Sequence, residues 1–572
     1  MKIFFRLKTR KNPDQTYKLW LFLSLLVAIL YGVESIIFAF NHPEIIQDDA
    51  RHHIFWLRRL IDPELFPNDL IADYFQSVAP WGFTTLYWIL AKARIDPVLA
   101  GKIIPSILAI FITFYGFKLS LKLLPLPING FITTLLLNQA LWMEDDLISA
   151  TPRAFIYPFF IAFLYYITEK RLFLVVLTIA LQCLFYPQIV LVSLTLLAVR
   201  FAYQIKDEFS QKVWFWGIIV VALCLLPYRI SSNEFGPIVT VAEAKLIPTY
   251  NLIDQEWGRN IFFHHNFIIY WLLSPRSGLL FIGLLPPLAF TAVTLPFLLR
   301  KKTIFPLAKT VSEQTILLKQ TLFASIGLFF LSHLFLFQLH LPNRYIYHSV
   351  RIIIVFAGGI ALTLILDQQY RYWSQKIKRG ITRKQKILFG VILTLIFILA
   401  ILPFFPPLAT SQRLYRTGKA TEIYEFLLSQ PKDIIVASIS EEADYLPIFA
   451  QRSTLVSLEY SIPYHTGYYN LLRQKTIDLI QAQYSTNWQT IRQFIQKYSI
   501  DYWLLDSQAF EKDYIQDQKL IRDVDQEKTI QTQLQQGKIT VLSQTIKDCS
   551  VLQTEDHILL SANCIEKKAV QQ

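Results

Sequence analysis

Residues 19–53 read LWLFLSLLVAILYGVESIIFAFNHPEIIQDDARHH. The first part of this stretch, Leu19–Phe40, is mostly apolar, and about 20 apolar residues are enough to cross a bilayer as a helix. It is too long for the apolar core of a signal peptide, so we expect it to stay as an anchor. A polar segment follows, in which the adjacent carboxylates of Asp48 and Asp49 precede Arg51 and two histidines. We therefore predict that the chain crosses a membrane and emerges directly into a charged segment.

Apolar runs recur as far as Phe405, in a chain of 572 residues that is 53% hydrophobic and 17% charged. This composition is typical of a polytopic membrane protein. The formal net charge of +13 comes from lysines and arginines that concentrate in short segments between apolar runs. Cytoplasmic loops of membrane proteins are basic, so we interpret this charge as a sign of orientation and expect no nucleic-acid partner. The basic N-terminus predicts a cytoplasmic start in the plasma (inner) membrane.

The alternation of apolar runs and basic loops predicts a mainly α-helical bundle of about eleven transmembrane helices. The expected spans are Leu19–Phe40, Val98–Lys118, Ile128–Trp142, Pro152–Thr168, two spans within Leu172–Tyr203, Val213–Tyr228, Gly278–Leu299, Thr321–Leu339, Ser349–Leu366 and Ile387–Phe405. Pro187 divides Leu172–Tyr203, because proline lacks the backbone donor that a continuous helix needs. Counting the short run Ala79–Leu90 as a span would put Lys118 outside, so we expect it to lie at the outer interface.

The predicted organisation is a transmembrane region at residues 1–405, with outer loops at 41–97 and 229–277, and an extracytoplasmic domain at residues 406–572. In the last part short apolar runs alternate with amphipathic segments, which indicates a soluble α/β domain. The expected strands are Asp433–Ser438, Ser453–Leu458 and Asp501–Leu505, and the expected helices are Ala420–Leu428, Tyr469–Gln483 and Trp488–Tyr498. The aromatic segment Tyr460–Tyr469 either packs over the membrane site or belongs to the core of this domain.

Two cysteines of this domain, Cys549 and Cys564, lie in polar sequence near the C-terminus. Outside the cytoplasm such a pair is expected to form a disulfide, and the alternative is two free thiols. The other two cysteines, Cys183 and Cys224, lie inside apolar runs and are expected to be ordinary buried thiols.

Two acidic segments are expected at the outer face, where ionisable residues beside a span are functional hypotheses by default. In the first, Asp48 and Asp49 begin an amphipathic helix lying on the membrane; the alternative is that they only cap this helix. The second is Glu144-Asp145-Asp146, followed by Arg153. Its alternative is a solvated loop that happens to be acidic.

A third polar segment, His340–Arg351, is expected to be an outer loop rich in basic and aromatic residues. Its two arginines, Arg344 and Arg351, can each grip a phosphate group, since a guanidinium offers a planar bidentate fork. The sequence thus predicts acidic and basic groups gathered at one face of the membrane.

These features together resemble the C-type superfamily of membrane glycosyltransferases, the GT-C fold. The resemblance rests on the acidic pair after the first span, the interfacial helix, and the segment Pro-Trp-Gly-Phe-Thr-Thr-Leu-Tyr-Trp at residues 80–88. The acidic site after the third span, the arginine-bearing loop and the C-terminal domain also fit. The similarity covers Leu19–Phe405 and lies mostly in the order of these features along the chain. It is greatest to bacterial members. The chain lacks the Trp-Trp-Asp motif of oligosaccharyltransferases, which disfavours en bloc transfer to asparagine.

The resemblance implies transfer of a hexosyl or pentosyl group from a polyprenyl-phosphate-linked sugar to an envelope acceptor, which is a glycan, a lipid or a protein. It implies the following roles: Asp48 or Asp49 as general base; Arg344, Arg351 and Arg51 on the donor phosphate; Asp145 or Asp146 orienting the acceptor or holding a metal; and His52, Arg153 and His348 as further substrate contacts. The metal would be a divalent cation, Mg²⁺ or Mn²⁺, although the resemblance does not require any cofactor.

Two other classes of function stay open. A multi-span transporter or flippase of lipid-linked glycans also has many spans, but its polar groups usually lie near the bilayer midplane, on broken helices of inverted repeats. A non-catalytic membrane scaffold would keep the shape of the site without needing Asp48 or Asp49. The partners expected for the favoured function are the lipid bilayer, the lipid-linked donor and the acceptor.

Overall fold

The computed structural model describes residues 13–230, 234–251, 260–379, 382–402, 411–524, 530, 532 and 539–571. The described helices of the membrane region and its outer loops, α1 to α16 in chain order, are Pro13–Ala39, Ala50–Ile54, Leu70–Val78, Trp81–Lys92, Pro97–Leu123, Pro127–Trp142, Asp145–Ile148, Ile156–Thr168, Leu172–Phe185, Pro187–Tyr203, Glu208–Ile230, Val241–Ala244, Leu295–Arg300, Ile316–Leu334, Arg344–Arg379 and Arg383–Ile401. Those of the C-terminal part, α17 to α23, are Thr421–Leu428, Thr466–Gln483, Trp488–Tyr498, Lys512–Asp517, Lys519–Asp523, Val541–Cys549 and Ala562–Gln571.

Five helices within the described residues are long and apolar enough to cross a bilayer, judged by length and composition. They cover Asp14–Ala39, Pro97–Leu123, Glu208–Leu226, Glu313–Leu334 and Arg344–Lys378. Shorter apolar helices cover Leu172–Phe185, Pro187–Tyr203, Pro287–Arg300 and Gln385–Ile401. The mainly helical membrane region is confirmed, whereas the count of about eleven spans stays a prediction. The end of the expected span Ile387–Phe405 and parts of the loop at 229–277 lie outside the described residues.

Prolines mark the breaks in the helical region. The break between α9 and α10 falls at Pro187, as predicted. The expected span Gly278–Leu299 is wrong as one continuous helix, because residues 278–286 are not helical and a 3-10 segment, Pro287–Thr294, precedes α13. Consecutive prolines at 286 and 287 leave two positions without a backbone donor, which explains why this segment does not form a regular helix.

Helix α15 begins at Arg344, so most of the segment His340–Arg351 is helical and the expectation of an outer loop there is wrong. Pro342 ends the preceding turn, and the polar and aromatic residues after it follow the helical repeat. That repeat places Arg344, His348 and Arg351 on one face of α15. A helix therefore aims all three side chains in a common direction.

A small antiparallel sheet joins the first outer loop to the C-terminal part. Its strand β1, Ile45–Gln47, pairs with β2, Tyr415–Thr417, with Ile46 opposite Arg416. Since Asp48 and Asp49 follow β1 directly, this pairing holds the first acidic segment against the C-terminal part. The boundary expected at 405 and 406 lies outside the described residues, and the division into two domains stays a prediction.

The C-terminal part contains a mixed five-stranded sheet. Its strands are β3 (Ile435–Ala437), β4 (Ser453–Thr454), β5 (Tyr502–Asp506), β6 (Ser550–Gln553) and β7 (His557–Ser561), in the order β4-β3-β5-β7-β6. The strands β4, β3 and β5 are parallel, and β7 pairs antiparallel with both β5 and β6. The predicted α/β character is confirmed, and the hairpin of β6 and β7 at the edge was not predicted. Cys549 and Cys564 are joined in a disulfide that links α22 to α23.

The aromatic segment Tyr460–Tyr469 packs against both outer loops. The ring of Tyr468 stacks on Tyr74 of α3 with centroids 3.7 Å apart. The hydroxyl of Tyr250, in the second outer loop, donates to the carbonyl of Pro463 at 3.0 Å. These aromatics therefore fix the C-terminal part on the outer loops, in addition to filling its own core.

Candidate active site

The capping role considered for the first acidic segment is not what the structure has. Asp49 stands at the N-cap position of α2, but its side chain makes no capping hydrogen bond. The side-chain oxygen of Gln47 accepts from the backbone N–H of Ala50 instead, at 3.0 Å. The carboxylates of Asp48 and Asp49 are therefore available for other partners.

Those partners differ between the two neighbours. One carboxylate oxygen of Asp48 pairs with Arg51 of α2. The other lies 3.2 Å from Nη2 of Arg416, on β2. Asp49 pairs with Arg153, which follows the second acidic segment. Asp48 thus faces the C-terminal part, and Asp49 faces the helical bundle.

Arg153 brings the two acidic segments together. Its Nη2 contacts Asp49 and lies 3.3 Å from Oδ2 of Asp145, while its Nη1 lies 3.4 Å from Oδ1 of Asp146. Arg153 belongs to a 3-10 segment, Pro152–Phe155, just after the short helix α7 that carries both second-segment aspartates. Three carboxylates from two separate outer segments therefore share one guanidinium.

Asp146 continues this site into the buried interior, where its side chain is only 1% exposed. The hydroxyl of Tyr157 donates to Oδ2 of Asp146 at 2.8 Å. His348 Nδ1 and Arg351 Nη1, both from the polar face of α15, lie 3.3 and 3.8 Å from the same oxygen. A fully buried polar network of this kind fixes its members in one arrangement.

Arg351 is placed differently from a phosphate ligand. It is 1% exposed, lies 3.3 Å from Oε1 of Glu144 and donates to the carbonyl of Leu284 at 3.1 Å. Glu144 in turn accepts from the backbone N–H of Leu284. Gly283 has φ +69°, and a Cβ there would collide with both side chains. Arg351 and Glu144 thus satisfy both backbone groups of Leu284, within the irregular segment that replaces the expected span.

Arg344 lies one helical turn before His348, on the same face of α15. Within the described residues its guanidinium forms no ion pair, although Asp146 and Asp145 are close enough to act on it electrostatically. Burial, together with the charges of Arg344, Arg276 and Arg153, lowers the pKa of His340 to about 3. Three arginines therefore make a locally positive region beside the acidic site, and His340 stays neutral within it.

The other two predicted ligands of the first outer loop bind the C-terminal part. Arg51, 6% exposed, pairs with Asp48, Asp444 and Glu459. His52 Nδ1 lies 2.8 Å from Oε1 of Glu459. Arg51 and His52 therefore hold the acidic loop against the C-terminal part, and their contact with a substrate stays a prediction.

A cavity of about 310 Å³ opens beside these contacts, between the first outer loop and the C-terminal part. Its lining is mostly charged, with one aromatic ring and one aliphatic side chain. The lining residues are Asp48, Arg51, Arg416, Glu441, Asp444, Tyr445, Leu458, Glu459, Lys519 and Asp523. The cavity therefore suits a small hydrogen-bonding ligand, and Asp48 in its wall is the chain neighbour of Asp49.

The acidic groups have displaced pKa values. Burial and the neighbouring charges of Asp146 and Glu144 raise the pKa of Asp145 to about 7. Burial acts the same way on Asp146, but the contacts of His348, the charge of Arg351 and the hydrogen bond from Tyr157 together outweigh it and lower the pKa of that carboxyl. A pair of carboxyls with pKa values pushed apart is typical of a site that handles protons.

The divalent cation that the resemblance allows does not fit this arrangement. Carboxylates are ligands that Mg²⁺ takes, but Asp49, Asp145 and Asp146 share the guanidinium of Arg153. Over the described ranges no three acidic, histidine or cysteine side chains are arranged to hold a metal ion. We therefore assign no chemical step to a metal.

Several site residues were missed by sequence reasoning. Glu144 was named as part of the second acidic segment, but no role was predicted for it. Tyr157 lies in an apolar run, and Asp444 and Glu459 lie in the C-terminal part. Nothing local in the sequence connects these three residues with the outer segments they contact.

No protein-family model matches the sequence, and a search of curated proteins gives no match. Solved structures do match. The oligosaccharyltransferase of Archaeoglobus fulgidus tethered to an acceptor peptide has a TM-score of 0.50 at 12% identity, covering 89% of this chain and 72% of its own. Archaeoglobus AglB with an inhibitory peptide and a dolichol-phosphate gives 0.48 at 14%, covering 86% and 70%. The mycobacterial arabinofuranosyltransferase AftD gives 0.47 at 12%, covering 86% of this chain and 35% of its own.

At these identities the similarity concerns the fold alone. The match to the tethered archaeal enzyme extends over most of both chains, including the helical region and the C-terminal part of this protein. This chain therefore shares its fold with that oligosaccharyltransferase.

Proposed function

We propose that this protein transfers a sugar from a polyprenyl-phosphate-linked donor to an envelope acceptor at the outer face of the plasma (inner) membrane. In this proposal the N-terminus is cytoplasmic, the C-terminal part is outside, and Asp49 is the general base. The observation that carries the proposal is the meeting of Asp49 with Asp145 and Asp146 on Arg153.

The chemistry needs a carboxylate at the acceptor. The oxygen of an acceptor hydroxyl attacks the anomeric carbon, the bond from that carbon to the phosphate oxygen breaks, and the hydroxyl proton passes to Asp49. A positioned general base contributes about 10²–10⁴-fold to such a step. Asp49 is favoured over Asp48 because both oxygens of Asp48 are held by arginines, one of them on β2.

The leaving group is a lipid phosphate that gains negative charge as its bond to the sugar breaks. Arg344 is the best candidate to stabilise that charge, since it adjoins the acidic site and forms no ion pair within the described residues. A guanidinium aimed at developing charge in a site that excludes water stabilises the transition state. Arg351 supports this geometry indirectly, by holding the irregular segment at residues 278–286.

The cavity beside Asp48 is our candidate for the acceptor site. Its carboxylates and guanidiniums offer many hydrogen-bonding groups, and Tyr445 offers an aromatic face. Such a lining suits a hydroxyl-rich glycan better than an acyl chain, which needs an apolar wall. The missing Trp-Trp-Asp motif also disfavours a peptide acceptor. We therefore propose a glycan acceptor that extends its hydroxyl from this cavity toward Asp49.

The test compares two neighbouring substitutions of identical chemistry, Asp49→Asn and Asp48→Asn. Transfer is measured in membranes as loss of polyprenyl-phosphate-linked sugar and gain of glycosylated acceptor, and in cells as an envelope glycan modification. We expect Asp49→Asn to lose about 10²–10⁴-fold in rate. Asp48→Asn changes a wall of the proposed acceptor cavity but removes no base, so it should lose much less. Unchanged transfer by a normally expressed Asp49→Asn protein would refute Asp49 as the base, and loss of transfer in Asp48→Asn instead would give that role to Asp48. Absence of transfer by the wild type would favour the scaffold or transport alternatives.

A further inference from the structure

We propose that Arg153 provides, as a built-in guanidinium, the positive charge that a divalent cation would otherwise provide between the two acidic segments, so that this site works without a metal ion. The inference rests on the proposed function, because it names the group that organises the same site. It concerns a positioning residue, since Arg153 acts through the carboxylates it holds.

The first support is the geometry of the contacts. A metal ion between acidic loops collects carboxylate oxygens from separate parts of a chain around one positive centre. Arg153 does this with its two terminal nitrogens, which reach Asp49 in the first outer loop and Asp145 and Asp146 on α7. A cation could bind the same three carboxylates only by displacing this guanidinium.

The second support is that the guanidinium is fixed in place by its own loop. Ser149 Oγ lies 2.8 Å from Thr151 Oγ1 and donates to the carbonyl of Asp146 at 2.9 Å. Ala150, with φ +52°, turns the chain between them, and the hydroxyl of Tyr87 donates to its carbonyl at 3.2 Å. Because α7 and Arg153 belong to this one braced turn, the side chain is directed back onto its own aspartates.

The third support is the balance of charge. The carboxylates of Glu144, Asp49, Asp145 and Asp146 are accompanied by the guanidiniums of Arg153, Arg351 and Arg344. The site is thus near neutrality before any ion binds, and the attraction for a divalent cation is correspondingly weak. Removing Arg153 alone would leave the carboxylates in excess around an opening lined with oxygen atoms.

The experiment measures Mn²⁺ binding to the full-length protein in detergent by the loss of the free-Mn²⁺ EPR signal. The proteins are the wild type, Asp145→Asn, Arg153→Ala, Arg153→Lys and the double variant Arg153→Ala with Asp145→Asn. We expect no stoichiometric loss of signal with the wild type or with Arg153→Lys. Arg153→Ala should remove Mn²⁺ from solution to a stoichiometric end point, and the added Asp145→Asn should abolish this binding.

A parallel measurement of sugar transfer separates this inference from the proposed function. Wild-type transfer should be unchanged by EDTA, and the transfer lost in Arg153→Ala should be partly restored by Mn²⁺. Stoichiometric Mn²⁺ binding by the wild type that is abolished by Asp145→Asn would overturn the inference even if transfer is real. This outcome can be observed even if Arg153→Ala does not fold. A folded Arg153→Ala protein that binds no Mn²⁺ would also overturn it. Mn²⁺ binding as expected, without any transfer activity, would leave the inference standing and the proposed function refuted.

Discussion

Asp48 and Asp49 are consecutive residues, yet the carboxylate of Asp48 is held by Arg416 of the C-terminal part while that of Asp49 is held by Arg153 of the helical bundle. The divergence follows from β1, which pairs with β2 and leaves the chain entering α2 between the two parts of the protein. One acidic dipeptide thus contributes to an interface and to a candidate active site.

Replacing Arg351 with Met should destabilise the protein strongly. The substitution leaves the partly buried Glu144 without its ion pair and removes the donor to Leu284; breaking a fully buried pair costs about 3–5 kcal/mol, which is the upper bound here. The measurement is the unfolding temperature of the purified protein in detergent. Adding Glu144→Gln should recover part of the loss. If Arg351→Met unfolds at the wild-type temperature, the support of residues 278–286 by Arg351 is wrong.

Replacing Arg344 with Met is the matched change on the same face of α15, and its effect should fall on the donor. The guanidinium forms no ion pair within the described residues, so stability should change little. Loss of a hydrogen bond to a charged group, about 1.5–3 kcal/mol, should lower kcat/KM for the lipid-linked donor by about 10- to 100-fold. Steady-state kinetics with varied donor test this. An unchanged kcat/KM would exclude Arg344 from the donor phosphate.

The raised pKa of Asp145 makes stability depend on pH. The folded state keeps a proton up to about pH 7, whereas the unfolded chain loses it near its ordinary value of 3.8. Stability should therefore fall as the pH rises through this window, because the folded state binds the extra proton. Asp145→Asn cannot titrate, so its unfolding temperature relative to the wild type should rise between pH 4 and 7. A difference that is independent of pH would contradict the raised pKa.

Much of the architecture was predictable because its causes are local. The break at Pro187, the three strands of the C-terminal part and the acidic segment at Asp145 follow from proline chemistry, apolar runs and charge. The interruption of Gly278–Leu299 had a local signal in Pro286 and Pro287, which the apolar composition of the run concealed. The contacts of Glu144 and Arg351 with the backbone of Leu284 were not predictable, because both residues come from distant parts of the chain.

In the candidate site, too, local features were predictable and long-range contacts were not. Its aspartates and arginines were recognisable as unusual charges beside apolar runs, but their pairing was not, since no local pattern tells which arginine meets which carboxylate. Arg51 and Arg351 were expected on a phosphate and are instead buried in ion pairs. Only the fold distinguishes these arginines from Arg344.

Removing the disulfide should loosen the C-terminal part. Cys549 and Cys564 close a loop with a sequence separation of 15 residues, and a cross-link of that length contributes about 3 kcal/mol. The double variant Cys549→Ser with Cys564→Ser should be more sensitive to proteolysis in this region than the wild type. Cys224→Ser, which removes a free cysteine, is the control and should behave as the wild type. Equal proteolysis of all three proteins would contradict a stabilising role for the disulfide.

The most direct test of the account is a double-mutant cycle on the rate of sugar transfer, with Asp49→Asn, Arg153→Ala and the two combined. Because the two side chains are in contact and are proposed to act as one unit, their effects should be non-additive, with a coupling within the range of about 0.5–3 kcal/mol found for contacting residues. The parallel cycle with Asp48→Asn and Arg153→Ala should be additive. Additive losses for Asp49 and Arg153, or coupling of Arg153 to Asp48 instead, would contradict the account.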